Sequence, residues 1–135
     1  MRLKISLLII TSLFTSGFLS AQNKVKGNNY VFVISKVNYL LAIDDAIAAS
    51  TKNGELKIKD VRVILCGESV KAFQEKNPLI EKVLNDGKIT LLACGLSLDQ
   101  IKIDPSILPA KVKIVPNGLL EAMILESKGY KKYDL

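Results

Sequence analysis

Three segments of this chain, Tyr30–Val37, Val61–Cys66 (VRVILC) and Ile89–Cys94 (ITLLAC), are short, β-branched and dominated by apolar residues. A strand with one wet face alternates apolar and polar side chains. A nearly continuous apolar run suits a strand that is covered on both faces. That demand argues against an open sheet with a solvated side and asks for helices above and below.

The intervening residues supply them. Across Asn38–Lys52 the apolar period changes, and Leu40, Leu41, Ile43, Ala46, Ile47 and Ala49 form one helical stripe that ends at Asn53-Gly54. Glu55–Asp60 reads as a polar connection. Gly67 turns the second run, and a short helix follows over Glu68–Glu75. Asn77-Pro78 has the form of an N-cap with proline at the first helical position. Leu79–Leu84 continues that helix until Asn85-Asp86-Gly87 breaks it. After the third run, Ser97-Leu98-Asp99-Gln100 has capping-box form, with Ser97 as cap and Gln100 reaching back. Asp104-Pro105 starts a short turn, and Val112–Val115 is a fourth strand. Pro116-Asn117-Gly118 leads into a helix over Leu119–Lys128, closed by Gly129, and Tyr130–Leu135 adds an edge strand. Strands alternate with helices throughout, which predicts an α/β fold with a mainly parallel sheet of about five strands.

The first residues read differently. Arg2 and Lys4 precede an apolar stretch from Ile5 to Phe18, and Leu19-Ser20-Ala21 places a small residue before Gln22. This is the pattern of a cleavable secretory signal over residues 1–21. A flexible lead is expected over 22–28 and a single domain over 29–135. The expected location is periplasmic or secreted, with the membrane met only through the signal during export. The chain has 19 basic and 13 acidic residues, a net +6; Arg2 and Lys4 fall in the leader, leaving +4 on the remainder. That modest excess lacks the dense basic stripe with aromatics that nucleic acid requires, so no nucleic-acid partner is expected.

There is no histidine, which excludes Ser-His-Asp triads and every histidine-containing zinc site. Two cysteines are too few for a four-cysteine site, and no metal or cofactor is expected. In parallel sheets ligands gather at the carboxyl ends of the strands. Three such ends share a pattern here: Cys66-Gly67, Cys94-Gly95 and Asn117-Gly118. Cys94 precedes a helix start, where partial positive charge favours thiolate; the alternative is a structural strand-end cysteine. Cys66 reads as core packing, with a Cys66–Cys94 disulfide as the other option. Asn117 is either a helix cap or a ligand contact, and Gly95 and Gly118 give room at the same edge. Asp44-Asp45 reads as a solvated helix face, and Tyr130 and Tyr133 as packing of the tail.

The segments Val61–Val70 (VRVILCGESV), Ile89–Ile103 (ITLLACGLSLDQIKI), Val112–Gly118 (VKIVPNG) and Lys128–Tyr133 (KGYKKY) occur in an order that resembles the DsrE/DsrF-like family. The resemblance implies a three-layer α/β/α fold and a homo-oligomer, trimer or hexamer. In that family's sulfur-relay members a cysteine ending the third strand carries sulfane sulfur as a persulfide, and Cys94 stands at that position. The resemblance gives Cys66 no such role. It departs from relay members in carrying an export signal. The expectation is an exported DsrE-like protein, a sulfur carrier or sulfurtransferase-like protein acting through Cys94 with a thiol protein partner. The alternative is a non-catalytic oligomeric binding module of unknown ligand.

Overall fold

A computed structural model describes residues 26–135. The predicted leader, and residues 22–25 of the lead, lie outside them. Five strands form one parallel sheet: β1 (Asn28–Ile34), β2 (Ile58–Leu65), β3 (Thr90–Cys94), β4 (Lys113–Val115) and β5 (Lys131–Asp134), in spatial order β4-β3-β2-β1-β5. The helices are α1 (Tyr39–Asn53), α2 (Pro78–Asp86), α3 (Gly95–Ile101) and α4 (Gly118–Ser127). The architecture is the expected three-layer α/β/α fold.

The order of strands explains the layers. Each connection from β1 through β4 steps one strand in the same direction. The connection from β4 to β5 runs back across the sheet. Crossovers between parallel strands are right-handed, so reversing direction moves the connecting helix to the opposite face. Buried side chains follow that division. Leu40, Ile43 and Ile47 of α1, Ile80 and Val83 of α2, and Leu98 of α3 pack on Val61, Val63, Leu65, Leu91 and Ala93. Among the described residues α4 stands alone on the other face, and its Ala122 and Leu125 meet Val31, Ile64 and Leu92. Among the described residues the first cluster holds seventeen buried side chains and the second five. At roughly 1.5–3 kcal/mol for each large aliphatic side chain buried, the α1–α2–α3 face carries most of the hydrophobic stabilisation.

Several expectations change in detail. The second strand begins at Ile58, three residues early, because Ile58, Asp60 and Val61 pair with Asn28, Asn29 and Tyr30 of β1. Ladder pairing overrides the polar side chains there. The helix expected over Glu68–Glu75 is a 3-10 helix over Gly67–Phe73, entered through Gly67 at φ 54°. Asp44 does not face solvent. It is 6% exposed and takes a hydrogen bond from Lys82, which ties α1 to α2; Asp45 is exposed as expected. The tail does form an edge strand. Leu135 N–H donates to Val33 O at 2.8 Å, and Ser35 N–H donates to Leu135 O at 2.9 Å.

Candidate functional site

The helices that follow β3 and β4 lie on opposite faces of the sheet. The carboxyl ends of these two adjacent strands therefore send the chain to opposite faces, β3 into α3 and β4 into α4. Open α/β sheets place ligands outside the carboxyl ends of their strands. Here that end is occupied by Cys94 at the end of β3 and by Pro116-Asn117-Gly118, which leads from β4 into α4.

Parallel register brings in Cys66. Leu65 of β2 pairs with Ala93 of β3. One residue further, Cys66 and Cys94 stand side by side, both with extended backbone. Alternation along the strands turns both thiols toward α4, the face on which Ile64 and Leu92 are packed. The first residue of α4 closes the group. Gly118 N–H donates to Cys94 Sγ at 3.2 Å. A Cβ at Gly118 would lie 2.6 Å from Cys66 Sγ, 2.9 Å from Ile64 Cγ2 and 3.0 Å from Cys94 Cβ. Only glycine fits where the helix start meets the two cysteines.

The predicted cap takes another role. α3 begins at Gly95, so Cys94 rather than Ser97 occupies the cap position, and Gln100 is exposed. Ser97 lies one turn into the helix and is 6% exposed. Its Oγ accepts from Gly67 N–H at 2.8 Å, and its hydroxyl and backbone N–H also meet the Cys94 sulfur. The early helix start depends on Gly95, whose Cβ would stand 3.1 Å from Val115 O and 3.3 Å from Pro116 O. Leu96 N–H donates to Pro116 O at 3.2 Å, which fastens α3 to the β4–α4 loop. Asn117 is a cap: its Oδ1 accepts from Leu119 N–H at 3.0 Å and Leu120 N–H at 3.2 Å.

These surroundings separate the two thiols. Burial alone would raise the pKa of Cys94. Hydrogen bonds from Ser97, from Gly118 N–H and from Cys66 outweigh burial, and the net shift is downward. Cys66 moves the other way. Burial, then the neighbouring Cys94 and their mutual hydrogen bond, then Asp134, push it up to about 12. Cys94 is the more acidic of the two thiols, and Cys66 is the one that donates in the hydrogen bond between them. Exposure runs opposite: Cys94 is 5% exposed, whereas Cys66 is half-buried. No disulfide joins them; both thiols are free.

All five sequence-predicted residues, Cys66, Cys94, Gly95, Asn117 and Gly118, thus gather at one edge of the sheet. Ser97 was not expected there. Its place follows once α3 is started at Gly95, since three residues on from Cys94 is one helical turn. A separate cleft of about 330 Å³ lies between the 3-10 helix, α2 and the Pro105–Ile107 turn, lined by Phe73, Lys76, Asn77, Ile80 and Ile107, and holds neither cysteine. Among the described residues no group of three acidic or cysteine side chains could hold a metal ion. No helix there is long and apolar enough to cross a membrane.

No family model matches the chain, and no curated protein matches it in sequence. Solved structures do. One is a protein of unknown function, MTH1491 from Methanobacterium thermoautotrophicum, with 17% identity, 80% of this chain and 99% of that chain covered, and a TM-score of 0.65. Another is a conserved protein of unknown function, BT1422 from Bacteroides thetaiotaomicron, with 18% identity, 80% and 95% covered, and a TM-score of 0.55. At this identity the likeness is one of fold.

Proposed function

We propose that this chain is an exported, DsrE-like carrier of sulfane sulfur, with Cys94 as the residue that holds the sulfur as a persulfide. The observation that carries this reading is the setting of Cys94. It sits at the carboxyl end of β3, its sulfur takes the first N–H of the ten-residue helix α4, and its pKa is lowered despite burial. Thiolate is the form that attacks sulfur. The thiolate attacks the outer sulfur of thiosulfate or a polysulfide. A new S–S bond forms at Cys94, the donor's S–S bond breaks, and sulfite or the shortened polysulfide leaves with the electron pair. A partner thiol then removes the sulfur by the same displacement. The helix N-terminus stabilises the anion in both directions, and no metal or organic cofactor is needed.

Intact-mass and peptide-mapping analysis of the purified protein tests this after treatment with thiosulfate or polysulfide. One added sulfur atom is expected on Cys94, in the wild type or in Cys66→Ser. Absence of added sulfur from both, or the same gain on Cys94→Ser, would sink the reading. The periplasmic or secreted location rests on the leader pattern. Cell fractionation with N-terminal sequencing should find a mature chain beginning at Gln22.

One observation favours a second reading, a non-catalytic oligomeric binding module: Cys94 is only 5% exposed. In that case Cys94 is packing. It would resist iodoacetamide in the native protein, and Cys94→Ala would behave as wild type in cells.

A further inference from the structure

We propose that Cys66 is a resolving thiol that discharges the Cys94 persulfide as sulfide, making the site a two-thiol sulfane reductase rather than a simple carrier. This rests on the persulfide reading above and extends it to a second residue.

The argument starts from adjacency. The Leu65–Ala93 pair fixes Cys66 and Cys94 as neighbours across a parallel ladder. Adjacent strands are about 4.8 Å apart, inside the 4.4–6.8 Å range of Cα separations that a disulfide spans. Both side chains leave the same face. Both converge on the α carbon of Gly118, since a Cβ there would touch Cys66 Sγ and Cys94 Cβ together. A packing role for Cys66 requires none of this convergence. Cys66 is also the half-open member of the pair, at the rim of the face that α4 covers. It shares that rim with Val33 and with Asp134, which pairs with Val33 across β1 and β5.

The chemistry balances as follows. The Cys66 sulfur attacks Cys94 Sγ of the persulfide, and a Cys66–Cys94 bond forms as the bond to the outer sulfur breaks. The outer sulfur leaves with the electron pair as hydrosulfide, and the proton of Cys66 goes to it or to water. Two thiol sulfurs are oxidised to a disulfide, and one sulfane sulfur is reduced to sulfide by the same two electrons. A dithiol reductant of the thioredoxin type then returns the pair to the free form. The asymmetry described above suits the first step, in which Cys94 is the nucleophile; in the second, Cys66 gives up its proton to the departing sulfur as it attacks.

The test compares wild type, Cys66→Ser and Cys94→Ser, each loaded with one equivalent of polysulfide, with sulfide release and intact mass followed in time. Circular dichroism and a thermal melt check that the variants fold. The expected result has three parts. Cys66→Ser holds the persulfide on Cys94 and releases no sulfide. Wild type releases one sulfide per chain and gains a Cys66–Cys94 disulfide, seen as a loss of two hydrogens and mapped by peptide analysis. Adding a dithiol makes wild type release sulfide repeatedly, with Cys66→Ser at least tenfold slower. If wild type and Cys66→Ser hold the persulfide equally long, the resolving role is overturned while the carrier reading stands. If Cys94→Ser retains sulfur on Cys66, the roles are reversed and the proposal fails. If no variant takes up sulfur, both readings fail together.

Discussion

Gly118 is the residue on which the site's geometry turns, because it brings a helix start against two sulfurs with no side chain between. Adding one methyl group places a Cβ 2.6 Å from Cys66 Sγ, a distance that forces the helix or the cysteines to move. Overpacking of this kind costs about 1–3 kcal/mol. Gly118→Ala should therefore lower the free energy of unfolding in urea by that amount and weaken the hydrogen bond to Cys94. The Cys94 thiolate should then titrate higher, read as ultraviolet thiolate absorbance against pH in a Cys66→Ser background. Cys66 itself carries a pH signature. Its pKa rises from the usual 9.0 to about 12 on folding, so the native state holds that proton more tightly. The associated stability is complete below pH 9.0 and is lost as pH climbs toward 12. Over that interval the wild-type urea midpoint should fall more steeply than that of Cys66→Ser. Equal slopes would mean that Cys66 titrates normally.

At the scale of elements, the most legible features were those whose signal is local. Asn77-Pro78 announced α2, and the structure shows why: Asn77 Oδ1 accepts from Leu79 N–H at 3.0 Å and Ile80 N–H at 3.3 Å, with Pro78 in the first turn. Asn77→Ala should cost about 1 kcal/mol in urea unfolding, with the sulfur uptake proposed for Cys94 unchanged. The alternation of apolar runs with helical stripes likewise foretold α/β layering and the edge strand at the tail. What was hidden depended on partners far along the chain. Asp44 looked solvated because its partner, Lys82, lies 38 residues away on another helix. Ile58–Asp60 looked like a connection because only pairing with β1 makes it strand. Cys66 looked like core because its relation to Cys94 is set by register, which no spacing of 28 residues reveals. Ser97 matched a capping box, yet Gly95 let the helix begin three residues sooner. The site was thus legible as a list of strand ends and illegible as an arrangement.

At the scale of the whole molecule the two faces of the sheet are unequal. Among the described residues three helices cover one, while α4 alone covers the other. α4 is itself apolar outward, with Leu119, Leu120 and Met123 each more than half exposed. This is the surface on which the proposed homo-oligomer would close, since a second copy would bury the outer side of α4. Leu120→Glu combined with Met123→Glu should reduce the mass found by light scattering to that of one chain and leave the circular dichroism spectrum unchanged. An unchanged mass in the double variant would remove α4 from the interface.

The pairing of β1 with β5 has a further consequence, in time rather than in space. Ser35 and Leu135 are 100 residues apart, yet they are bonded at the same end of the sheet. While the chain is being made, β1 can find β2 early, but its other side has nothing to pair with until β5 exists. Nearly the whole domain must therefore be synthesised before its first strand is fully hydrogen-bonded, and contacts of such long sequence separation form slowly. Until then one side of β1 has no strand to pair with. That delay is compatible with threading through an export channel, where a domain that locked early would be held back.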